Sequence, residues 1–123
     1  MMSVTMDECS SSAVRASDVP IEDVGPGIKR QMLGYGPGIM ICRVWFEKDA
    51  IGDVHSHFHS QSSYVESGRF MVHVDGKDFE LGAGDCFYVA PHQDHGAVCL
   101  EAGVLLDTFS PAREDFLDAG DPS

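Results

Sequence analysis

The sequence predicts an all-β, single-domain fold of antiparallel strands, a barrel or a sandwich. Three observations carry that expectation. Thirteen glycines and six prolines punctuate the chain, and both residue types interrupt helices while supplying tight turns. Short β-rich runs recur about every ten residues with turn signals and no helix between them, which is the rhythm of an antiparallel fold rather than a parallel sheet. Finally, 123 residues with 43% hydrophobic content can fill one core but not two.

Taken in order, residues 1–22 are rich in Ser, Asp and Ala without lasting periodicity. They read as a mobile N-terminal arm or an edge strand added to a neighbour. The barrel is expected over 23–117. KRQML from Lys29 is a strand, GYGPG a turn, IMICRVWFEK a strand and DAIGD a turn. VHSHFH opens the next strand, and YVESGRFMVHVDG breaks at Gly68 and turns at Asp75-Gly76, a pair suited to the positive φ angles of a tight hairpin. Gly82 and Gly84 mark a further turn after DFEL. CFYVAP is a short strand stopped by Pro91, and GAVCLEAGVLLDTF reads as a final hairpin around Glu101-Ala102-Gly103. PAREDFLDAG looks helical, with Pro111 where a first helical turn tolerates it, and 118–123 form a disordered tail.

Twenty Asp and Glu against eight Lys and Arg give a formal charge of −12. Such a chain repels phosphate backbones and anionic membrane surfaces, so no nucleic-acid or membrane partner is expected. No apolar run is long enough to span a bilayer and the N-terminus lacks the pattern of a secretory leader. The four cysteines are widely spaced, with Cys42 and Cys86 inside apolar runs where a small buried thiol belongs. Reduced cysteines in a cytoplasmic protein are the expectation.

The chemistry concentrates in the histidines. Alternate residues of a strand project from one face, so His55, His57 and His59 are expected to point together. Gln61 follows after a short bend and can offer an oxygen. A second segment, PHQDHG, brings His92 and His95 at the end of another strand, so two separated strands can converge on one ion. A lone surface histidine is ordinarily just solvated. Five of six in two short segments at strand-compatible spacing argue for metal binding, with His73 the solvated exception. His59 and His92 are left outside the ligand set, since one strand edge rarely supplies three ligands.

His55-Ser-His57, three residues, Gln61, six residues and Gly68 resemble the first cupin motif. Gly84-Asp85 through Pro91 to His95 resembles the second. The resemblance implies a double-stranded β-helix, or jelly-roll barrel, here with a short C-terminal helical turn. Within cupins, HSHFHSQSSYVESGR and the ending LLDTFSPAREDFL are similar to segments of the KdgF-type proteins, which ketonise unsaturated uronates. That likeness spans about residues 25–117. It implies metal ligation by His55, His57, Gln61 and His95, and a part in activity for Asp107 and Phe109. It also implies a sugar-acid substrate, and the cupin habit is a homodimer. The departure that matters is Gln61 where Glu is commoner. A neutral amide leaves more positive charge on a divalent ion, whether zinc, nickel, manganese or iron, and favours Lewis-acid chemistry over oxygen chemistry.

The remaining candidates rest on residue chemistry. A carboxylate after GVLL is costly to bury, so Asp107 reads either as a proton carrier or as an ion pair with Arg113. Arg43, Arg69 and Arg113 can each grip a substrate carboxylate, the alternative for each being a solvated charge. Trp45 can wall the pocket beside Arg43 or sit in the core. Two rival functions stay open: another metal cupin, a lyase with Tyr64 as base or a dioxygenase, and a non-catalytic small-ligand module.

Overall fold

The computed structural model describes residues 8–117. Eight strands follow in order: β1 Glu22–Gly25, β2 Ile28–Gly36, β3 Ile39–Phe46, β4 Ile51–His55, β5 Ser60–Val74, β6 Lys77–Gly82, β7 Cys86–Val89 and β8 His95–Ser110. A 3-10 turn at Ala16–Asp18 precedes them and a short helix, α1 Glu114–Leu117, closes the chain. All pairings are antiparallel. The strand path is β1-β2-β3-β8-β5-β6, with β4 also on β8 and β7 also on β5.

Two long strands make this a barrel. The first part of β8 pairs with β4 and its later part with β3. The first part of β5 pairs with β7 and its later part with β6. Each strand therefore runs through both faces and must bend between them, and the bend falls at Gly68 and Gly103. Gly68 has φ +83, and a Cβ there would lie 2.5 Å from the Gly103 Cα. Only two residues without side chains allow the backbones this close. The expected hairpin at Glu101–Gly103 is thus a bend inside one continuous strand: the glycine that looks like a turn signal is needed for close approach.

Strand alternation places the core. Met40, Cys42, Val44 and Phe46 of β3 point inward, meeting Val65, Phe70 and Val72 of β5 and Leu105 and Phe109 of β8. Phe46 and Phe70 pack edge to face at 5.2 Å. Arg43 and Trp45 consequently face outward. The predicted Asp75-Gly76 turn is present, with φ of 50 and 81.

Other expectations change. Residues 8–21 lie on their own barrel: Ser10 N–H donates to the Tyr35 carbonyl, and Gln31 Nε2 donates to the carbonyls of Ala16 and Val19. The Gln31 side chain and the Tyr35 backbone of β2, rather than apolar periodicity, hold that segment. DAIGD is mostly strand, the turn sitting at Lys48-Asp49. All four cysteines are free, but it is Cys99 that is buried with Cys42, while Cys86 sits on the outer side of β7. Burial pushes the Cys42 thiol up to about 12. The terminal helix is shorter than expected and begins three residues after Pro111, which lies in a cis peptide outside it. The tail 118–123 falls outside the described residues. No helix among those residues is long and apolar enough to cross a membrane.

Candidate metal centre and cavity

Strand β4 ends at His55, so the histidine run is not one strand face as the alternation argument required. His57 and His59 follow in a bend and diverge. His55 is opposite His95 in the β4–β8 register, and Gly96 permits that pairing: a Cβ there would lie 2.8 Å from the Gly52 carbonyl oxygen. One ring nitrogen from each of His55, His57 and His95 lies within 4.8 Å of the others. His95 is buried, His57 half-buried and His55 at the open mouth.

The ring nitrogens reveal which atoms face that centre. His55 Nδ1 lies 2.8 Å from the Asp53 carbonyl, His57 Nδ1 3.0 Å from that of His59, and His95 Nδ1 3.0 Å from that of Gln93. A carbonyl only accepts, so each Nδ1 carries the proton and each Nε2 presents a lone pair. His95 Nε2 is buried without a hydrogen-bond partner. His57 Nε2 sits 3.1 Å from Gln61 Oε1. Two acceptors at that separation need a cation or a proton between them. Burial, Arg113 and His95 lower the His57 pKa to about 4, which removes the proton at neutral pH. Burial likewise lowers that of His95. The donor set of three imidazoles and an amide oxygen therefore fits a divalent metal ion.

Residues outside the cluster divide clearly. His59 is buried against Glu114 of α1, Nε2 to Oε2 at 3.1 Å, and groups with Glu114 and Asp115 apart from the other three histidines. His92 is exposed with φ 68, and His73 pairs with Asp78 rather than being merely solvated.

Register builds the cavity wall beside the histidines. Gln61 pairs with Phe109 and Ser63 with Asp107 across β5 and β8, and all four face inward. Ser63 donates to Asp107 Oδ1 at 2.6 Å and accepts from Gln61 Nε2 at 2.9 Å. Burial raises the Asp107 pKa to about 6 against the lowering effects of Ser63 and Arg113. The cavity, about 160 Å³, is lined by His55, Gln61, His95, Asp107, Phe109, Arg30, Arg113 and Phe116 among others. That is small beside the roughly 300–1,000 Å³ of drug-sized ligand sites.

Among the arginines proposed from sequence, only Arg113 reaches the cavity. It does not pair with Asp107: its Nε and Nη2 grip Asp115 at 2.9 and 2.7 Å, holding that carboxyl below its usual range although burial alone would raise it. Arg43 faces outward beside Glu66 at 3.4 Å, and Arg69 is on the surface with Glu80 at 3.1 Å. Trp45 lines a separate outer groove with Lys29 and Val104. Tyr64 is 46% exposed on the outer face, so it cannot act as a base at this centre.

The residue the sequence reading missed is Arg30, 3% exposed and lining the cavity. Its guanidinium lies 3.8 Å from the Phe116 ring centre, with that of Arg113 at 4.1 Å from the same ring. Its signal was alternation: Ile28 and Met32 pack on the core, and Arg30 lies between them on the same face.

Residues 43–109 match the family described as Cupin domain. The chain is 43% identical over 102 residues to the pectin degradation protein KdgF of Dickeya dadantii (strain 3937), covering 81% of this chain and 93% of that protein. Among solved structures it resembles an RmlC-like cupin from Shewanella frigidimarina NCIMB 400, with TM-score 0.86, 55% identity and coverage of 88% and 97% of the two chains. It also resembles KdgF from Halomonas sp., with TM-score 0.82, 37% identity and coverage of 87% and 99%.

Proposed function

This chain belongs to the cupin domain family and, within it, to the group of the pectin degradation protein KdgF, and from that premise we propose that it is a metal-dependent isomerase converting a 4,5-unsaturated uronate to its linear 5-keto-4-deoxy form. The observation that carries the reading is the β5–β8 register. It sets the half-buried carboxylate of Asp107 in one small cavity with His55, His95 and two arginines, beside a cluster of three histidines whose Nε2 atoms each present a lone pair.

His55, His57, His95 and the Oε1 of Gln61 would hold the ion, whether zinc, nickel, manganese or iron. When bound, a divalent ion supplies Lewis acidity toward negative charge developing on a substrate oxygen. Arg113, together with Arg30, which also pairs with Glu22 at 3.7 Å, lines the cavity where the uronate carboxylate would be received. Asp115 fixes the Arg113 fork from behind, and the Phe116 ring lies against both guanidinium groups. Phe109, edge-on to His57 at 5.9 Å between ring centres, walls the cavity with an apolar face and keeps water from the reacting carbons.

Asp107 moves the proton. As the ring C1–O5 bond breaks, its carboxylate takes the proton of the C1 hydroxyl, leaving an aldehyde at C1 and an enolate at C4–C5–O5. The same carboxyl then delivers that proton to C4, giving the 5-keto group. One proton travels from O1 to C4, nothing is oxidised, and the carboxylate is regenerated. A pKa near 6 leaves Asp107 able both to take and to release a proton near neutrality. With Oδ1 held by Ser63, Oδ2 is the oxygen free to do so.

We also propose a homodimer, supported by Ile39, Tyr64 and Tyr88, which are exposed on outward strand positions. Light scattering reads it directly. The function is tested by supplying unsaturated galacturonate to metal-loaded protein and following loss of the enol-ether absorbance. Acceleration over buffer is expected, and a rate equal to buffer would overturn the proposal.

A further inference from the structure

A single hydrogen-bonded chain connects the candidate ligands to the candidate proton carrier, and it has a direction. Asp107, when ionised, can only accept, so Ser63 Oγ, 2.6 Å away, must give it its one hydrogen. The remaining lone pairs of that hydroxyl can then only accept, and the atom 2.9 Å away on Gln61 must be the amide Nε2. This leaves Gln61 Oε1 on the side of His57 Nε2, at 3.1 Å. Reversing the amide would bring Oε1 against an oxygen with no hydrogen left to offer. Ser63 is fully buried, so bulk water does not relieve the mismatch.

We propose that Ser63 is a positioning residue that locks the Gln61 amide with its oxygen toward the histidines and thereby makes a neutral amide, not a carboxylate, the fourth ligand. This rests on the metal reading given above. A glutamate at 61 would set a second carboxylate against the same hydroxyl, which has one proton and is already committed to Asp107. Two negative groups would then compete across a single Oγ in a dry interior, one of them unsatisfied. The residue that selects Gln at 61 is therefore two positions along the same strand face, and the ligand's charge is set from behind the metal.

The test reads metal binding rather than turnover. Chelator-stripped wild type, Ser63→Ala, Ser63→Thr and Gln61→Glu are titrated with Co(II), following the visible d–d bands and confirming affinity by chelator competition. Loss of an outer partner of a metal ligand typically costs about 10- to 100-fold in affinity. Ser63→Ala is expected to bind Co(II) at least about tenfold more weakly with altered bands, while Ser63→Thr, which keeps the hydroxyl, restores both. Gln61→Glu, despite its added charge, is expected to bind no more tightly than wild type. Wild-type affinity and bands in Ser63→Ala, or about tenfold tighter binding by Gln61→Glu, would overturn the proposal. The second arm decides the matter should Ser63→Ala fail to fold. Wild type that takes up no Co(II) would overturn the metal reading itself, and this inference with it.

Discussion

Asp107 concentrates the conflict between stability and function in one side chain. Its carboxyl is raised to about 6 by burial, so the folded protein holds the proton more tightly than the unfolded chain does. Its contribution is favourable below the ordinary carboxylate range and is lost as pH rises through about 6. Replacing it with Asn removes the charge and keeps an oxygen for Ser63. Chelator-stripped Asp107→Asn is therefore expected to be more stable than wild type at pH 8, by on the order of 2 kcal/mol, with the gap closing below about pH 4. Thermal melts at the two pH values check it. The same substitution is expected to lower kcat on an unsaturated uronate by about 10²- to 10⁴-fold, the usual share of a positioned acid–base group. In wild type, kcat/KM is expected to fall as pH drops through about 6, where the base becomes protonated. A variant that keeps the wild-type rate would exclude Asp107 from proton transfer.

At the scale of elements, the site depends on how closely backbones approach. Gly96 lets β4 lie against β8 with His55 opposite His95, and a Cβ there would meet both the Gly52 carbonyl and the Val54 Cα, the latter at 3.1 Å. Gly96→Ala is expected to push β4 outward, part the two histidines and weaken Co(II) binding about tenfold while the far side of the barrel stays folded. Gly68→Ala, with a positive φ and no room for a Cβ, is expected to cost more than about 3 kcal/mol of global stability, read by denaturant unfolding. These glycines also mark where sequence reasoning stopped. Gly76 and Gly103 are the same residue type, each within two residues of an acidic side chain, yet one makes a hairpin turn and the other a close crossing. The difference lies in a strand that is remote in sequence. Alternation was more informative within a strand: Asp107 and Phe109 lie two residues apart on β8 and share its inner face, while only the β5–β8 register brings Gln61 beside them. It failed for His57 and His59 because β4 ends at His55, and a strand's end is fixed by its partner's register rather than by its own residues.

Across the whole molecule, charge and cavity pull in opposite directions. The formal charge is −12, yet the proposed substrate is an anion whose carboxylate must reach Arg30 and Arg113 inside the barrel. The sequence made the surplus legible but not where the compensating cations lie. Of its three candidate arginines, two turn outward to Glu66 and Glu80 because they occupy outer strand positions. Arg30 is turned inward by the same alternation. The cavity also needs its last element: Glu114 meets buried His59, and Phe116 brings its ring between the two arginines and Phe109. Phe116→Ala is thus expected to raise KM more than it lowers kcat, since the arginines lose the surface against which they are set. The long-range field is a separate matter. At low ionic strength a −12 surface repels an approaching uronate over tens of ångströms, whereas near 0.15 M salt the screening length is about 8 Å and the buried guanidiniums dominate at contact. The value of kcat/KM for unsaturated galacturonate is therefore expected to rise severalfold between about 10 and 150 mM NaCl, with kcat nearly constant. A fall over that range would mean that the arginines, not the overall charge, govern the approach.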